Sequence, residues 1–140
     1  MTYRLLEHTA DVGIEAEADS LEGLFRECLR AQTDCLTQLS KVEEQLSRFL
    51  KLQAPDLSQL LVDFLSETIY LYETEGLVFA SATLEVIEDE GMWSLSGVVS
   101  GEVFDLSRHG LRTLLKAVTY HQLMVQDSGE SWIARVIFDI

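Results

Sequence analysis

Positive charge is scarce in this chain: of 140 residues only 10 are Lys or Arg, against 24 Asp or Glu, for a formal net charge of −14. A surface of that sign repels a phosphate backbone. It argues against strong direct nucleic-acid binding and favours cations or a basic protein partner. For most of these carboxylates solubility alone is a sufficient account. Proline is rarer still, with Pro55 alone standing just before a helix start, and no linker, internal repeat or low-complexity tract interrupts the sequence. Residues 1–140 therefore read as one domain with room for one substantial core. No apolar run approaches the roughly 20 residues that cross a bilayer. The opening MTYRLLEHTADVG also lacks the charged start, apolar centre and small-residue cleavage site of a signal peptide. A soluble cytoplasmic protein is the expectation.

Cysteine is limited to Cys28 and Cys35. On a helix their spacing places them on one side, roughly 10 Å apart at 1.5 Å per residue, too far for an unstrained disulfide. Leu21, Leu24, Phe25, Leu29 and Leu36 share that side, so both thiols read as small core hydrophobes in a reducing compartment. The three histidines, His8, His109 and His121, have no HxH or i, i+4 spacing and do not cluster with cysteine as a zinc site requires. GxGxxG, P-loop and GxSxG motifs are missing as well. Asp63 and Glu67 have the i, i+4 separation of a helical metal site but lie opposite the apolar stripe, where a solvated face is the simpler reading.

The periodicities that are present describe an α+β domain. Residues 3–8 and 13–18 read as strands. Asp19 and Glu22 resemble a capping box opening a helix to about residue 37, with Gln32 as the polar exception on its apolar face. Residues 49–53 read as a strand, and Asp56 with Gln59 caps a second helix. Its stripe is Leu57, Leu61, Phe64, Leu65, Thr68, Ile69 and Tyr72, and Gly76 stops it. The period then changes to two. Residues 78–87 and 92–104 form one hairpin, and 115–125 and 132–139 a second, with at most one helical turn in 107–111. The expected order is ββαβαββββ, a largely antiparallel sheet with two helices packed on one face.

The last strand poses a question, because its Val-Ile-Phe run ends on Asp139 and Ile140. Asp11 stands between the first two strands, in HTADVGIEA. If the first and last strands meet, Asp11, Asp139 and the Ile140 α-carboxylate would form the oxygen-rich cluster that Ca²⁺ or Mg²⁺ prefers. The alternative is a strand that simply ends at the surface. Lys116, set among apolar residues beside Tyr120 and His121, is either a snorkelling edge lysine or a cation that contacts a phosphate or partner.

HTADVGIEAEA (8–18), LLVDFLSETIYL (60–71), GEVFDLSRHGL (101–111), KAVTYHQLMV (116–125) and ARVIFDI (134–140) occur in an order that resembles the archease family over essentially the whole chain. KAVTYH followed by a terminal DI is the most specific part. The resemblance implies a small α+β fold and a protein cofactor, not itself an enzyme, of the GTP-dependent tRNA-splicing RNA ligase. That ligase joins a 2′,3′-cyclic phosphate or 3′-phosphate end to a 5′-hydroxyl end using GTP and a divalent metal. The cofactor helps it become guanylylated on its active-site histidine and turn over repeatedly. The resemblance further implies a divalent-metal site at Asp11, Asp139 and Ile140, and a ligase-activating role for Lys116. Two stretches depart from the family pattern: Arg30-Ala31-Gln32-Thr33-Asp34 is more polar than an apolar helix end, and residues 39–48 lack a counterpart. A small metal-dependent hydrolase and an acidic chaperone-like interaction module are the competing functions.

Overall fold

A computed structural model describes residues 1–7 and 11–140. The chain begins with β1 (Thr2–Glu7), β2 (Asp11–Ala18) and α1 (Leu21–Leu36), followed by a short 3-10 turn at Leu39–Lys41 and β3 (Leu46–Ala54). Next come α2 (Leu57–Glu75), β4 (Leu77–Asp89), β5 (Met92–Val103) and the single turn α3 (Leu106–His109). β6 (Ala117–Val118), β7 (Met124–Asp127) and β8 (Trp132–Asp139) complete the chain. The α+β class and both long helices follow the sequence periodicities.

The strands divide between two antiparallel sheets instead of forming one. The first runs β1-β2-β8-β6, with β7 also on β8, and the second runs β3-β5-β4. Both helices pack against strands of both sheets and share one apolar cluster that includes Ile14, Phe25, Phe64, Leu95 and Phe138. Alternation of apolar and polar residues reveals strands but not their partners, so periodicity could not divide the sheets.

α2 is capped as its sequence suggests. Asp56 accepts from the Gln59 N–H at 2.8 Å, and Gly76 closes the helix in the left-handed conformation at φ 69°. α1 starts one residue later than the Asp19 box implies. Ser20 is its N-cap, accepting from the Gly23 N–H at 3.0 Å. Glu22 then falls at the second helical position, where it cannot reach back to the cap. Its carboxylate instead accepts from the Val86 N–H of edge strand β4 at 3.1 Å.

The polar end of α1 consists of tethers. The Gln32 amide donates to Thr68 of α2 at 2.7 Å, and Thr33 donates to the Phe79 carbonyl of β4 at 2.7 Å. Asp34 accepts from the Tyr3 hydroxyl at 3.0 Å and from Arg112 at 3.2 Å. Cys28 and Cys35 are buried free thiols, and burial pushes the pKa of Cys28 up strongly and that of Cys35 to about 12. Neither is a ready thiolate.

Candidate functional site

β2 and β8 meet because each buries an apolar face, Ile14 and Ala16 on one and Ala134, Val136 and Phe138 on the other. The register that aligns these faces pairs Ile14 with Val136 and Val12 with Phe138, and at the strand ends sets Asp11 directly opposite Asp139. Opposed residues in an antiparallel pair project from the same face, so the two carboxylates are cross-strand neighbours. β6 lies on the other side of β8, with Ala117 opposite Asp139. The Lys116 N–H donates to the Asp139 carbonyl at 2.8 Å. One end of the first sheet thus brings together Asp11, Lys116, Asp139 and the adjoining Ile140.

Asp139 and Lys116 are exposed, Ile140 is 38 % exposed and Asp11 is half-buried. One carboxylate oxygen of Asp11, Oδ1, is fully enclosed and has no hydrogen-bond partner among the described residues. Neither Asp11 nor Asp139 forms an ion pair with a described residue. Two opposed like charges, one with an enclosed and unpartnered oxygen, are unfavourable unless a cation neutralises them. The donor set therefore suits a hard divalent ion. Among the described residues no three His, Cys, Asp or Glu side chains assemble as a metal-holding group.

Lys116 also borders a groove between β6 and α2, shared with Ser66, Ile69, Tyr70 and Glu73. His8 lies outside the described residues. His121 is exposed on a turn, its N–H donating to Thr119 at 3.3 Å. Asp63 accepts from the Gln59 amide at 2.8 Å, an ordinary helix-surface contact that does not point to a metal.

His109 belongs to a network that periodicity does not reveal. Its ring is fully buried, and its Nδ1 accepts from the Asp105 N–H at 2.8 Å. Nε2 therefore holds the proton of the neutral ring and donates to Glu102 at 3.1 Å. Glu102 also pairs with Arg108 and accepts from the Glu43 N–H at 2.5 Å. The Arg108 bonds hold its carboxyl down at about 2 against the opposing effect of burial, with help from Glu43 and His109. All but Glu43 fall within the GEVFDLSRHGL stretch, yet alternation gives no sign that these side chains turn inward to meet.

The model of the archease protein family matches residues 3–140 of this chain. A protein archease from Methanosarcina acetivorans is 39% identical over 139 residues, covering 99% of this chain and 95% of the relative. One from Methanopyrus kandleri is 34% identical over 140 residues, with both chains covered completely. The solution structure of protein 1598 from Methanobacterium thermoautotrophicum superposes with a TM-score of 0.86 at 30% identity, covering 99% of this chain and 98% of that one. The crystal structure of a Thermotoga maritima archease, titled a possible chaperone, shares the fold with a TM-score of 0.55 at 19% identity, covering 96% of this chain and 94% of that one. With its fold, its full-length family match and its relatives in agreement, the chain belongs to the archease family.

Proposed function

We propose that this protein is an accessory factor, not itself an enzyme, that activates a GTP-dependent tRNA-splicing RNA ligase by promoting its guanylylation and repeated turnover. The observation that supports it most is the β2–β8 register, which opposes Asp11 and Asp139 while one Asp11 oxygen is enclosed without a partner among the described residues. Asp11, Asp139 and the Ile140 α-carboxylate would hold a Ca²⁺ or Mg²⁺ ion there. When bound, the ion would neutralise the clustered carboxylates and offer a local positive charge to phosphate oxygens. Lys116, tied through its main chain to Asp139, would present an ammonium beside the same site. The net charge of −14 suits docking to a cleft built to hold RNA and GTP, and a cytoplasmic setting follows from that partner.

The test is multiple-turnover ligation by a cognate ligase with GTP, with and without this protein, using wild type, Asp139→Ala and a variant extended past Ile140. Stimulation by wild type that is lost in both folded variants is the expected result. Wild type without effect on the ligase would defeat the proposal. The possible-chaperone title of the Thermotoga relative favours one second reading, an interaction module whose carboxylates are only structural. Such a module would keep its partner activity with alanine at Asp11 and Asp139.

A further inference from the structure

Residues 110–116 join α3 to β6 without regular secondary structure, so the position of Lys116 is not set by a helix or sheet ladder on its N-terminal side. Side chains along this strap face outward: Leu111 is 48% exposed and Leu114 52%, and Arg112 and Lys116 are also exposed. Leu115 is the exception at 4%. It is the one buried residue between His109 and Ala134. Its side chain belongs to the main apolar core and lines a small cavity together with Gln32 and Leu36 of α1, Thr68 and Ile69 of α2 and Val78 of β4. The next residue is Lys116, whose N–H meets the Asp139 carbonyl at 2.8 Å.

We propose that Leu115 is a positioning residue: its burial in the core beside α1 and α2 fixes the strap so that Lys116 stands at the Asp11–Asp139 end of the sheet. The functional half of this inference rests on the ligase-activation reading, whereas the structural half does not. Other tethers hold the strap farther back. The Arg112 N–H donates to the Leu36 carbonyl at 2.8 Å, its guanidinium donates to the Asp34 carbonyl at 3.0 Å and pairs with the Asp34 carboxylate, and Thr37 donates to the His109 and Gly110 carbonyls. None is adjacent to Lys116. Between Arg112 and the Lys116–Asp139 bond the only anchor in the core among the described residues is one leucine, and an exposed segment without that anchor opens locally at little cost.

The experiment reads amide hydrogen exchange and ligation on the same full-length variants. Leu115→Ala is expected to speed exchange at Lys116 about tenfold or more while Ile14 and Val136 stay among the most slowly exchanging amides. Leu115→Met, which refills the space, is expected to restore protection. In the ligation assay Leu115→Ala should lower maximal stimulation as Lys116→Ala does, and Leu115→Met should recover it. If Leu115→Ala does not fold, Leu115→Val gives the same comparison with a smaller truncation. Unchanged Lys116 protection in the truncated variant would overturn the proposal, as would full stimulation despite lost protection. A wild-type protein inert toward the ligase would remove the ligase reading, and exchange would still decide whether Leu115 holds Lys116 in place.

Discussion

An ionised carboxylate is costly to bury unless donors surround it, and Glu102 has Arg108, the Glu43 N–H and His109. Held down at about 2 in the folded protein, its carboxyl titrates near 4.3 in an unfolded chain. Its contribution is therefore complete above the unfolded value and disappears as pH falls from about 4.3 towards 2. Allowing for solvent screening of the half-exposed Arg108, that contribution is about 2 kcal/mol. Urea unfolding of Glu102→Gln at pH 7 is expected to show a loss of this size, and the gap from wild type should close near pH 2–3. Asp11 makes the converse case. With divalent ions removed by chelator, Asp11→Asn relieves a like-charge pair, and thermal unfolding should show equal or higher stability, by up to about 1 kcal/mol. Asp11 and Asp139 stood out in the sequence because carboxylates are unusual at the ends of apolar strands. Glu102 and His109 did not, since nothing local indicates that their side chains turn inward to meet.

At the scale of elements, rules that act over one turn were legible and rules that act across the chain were not. The caps of α2 follow directly from Asp56, Gln59 and Gly76. The start of α1 moved by one residue because Ser20 can cap as well as Asp19, and burial of Leu24 and Phe25 sets the helix phase. Ser20→Ala should therefore cost about 1 kcal/mol in chemical unfolding, with Asp19→Ala much closer to neutral. Residues 115–125 read as one strand but supply β6, a turn through Gln122 at φ 52°, and β7. β8 pairs with both short strands along one edge. Gly101 also passed unmarked by periodicity. A Cβ there would collide with the Val78 carbonyl where β4 bulges against β5. Gly101→Ala is expected to destabilise the second sheet by about 1–3 kcal/mol or more, measured by urea unfolding.

Composition and period were enough to place the whole molecule among single α+β domains. They did not show that two sheets share one core, because the long-range β2–β8 pairing joins residues more than a hundred positions apart. Charge acts at this scale too. If the excess of acidic residues steers the protein to a basic ligase, raising ionic strength should weaken association chiefly through a slower on-rate. Stopped-flow or surface binding at two salt concentrations measures that dependence directly, and a salt-independent on-rate would remove steering from the account. At the acidic end of the first sheet, global fold and local chemistry coincide: the pairing that closes the core also creates the carboxylate pair.

Calorimetric titration of the purified protein with Ca²⁺ and Mg²⁺, paired with thermal unfolding of wild type and Asp139→Asn, tests that coincidence most directly. The account predicts binding near one ion per chain in wild type, with stabilisation of about 2.7 kcal/mol at a hundredfold excess over Kd, and loss of both effects in Asp139→Asn. A wild-type protein that gives neither binding heat nor a thermal shift with either ion would contradict it.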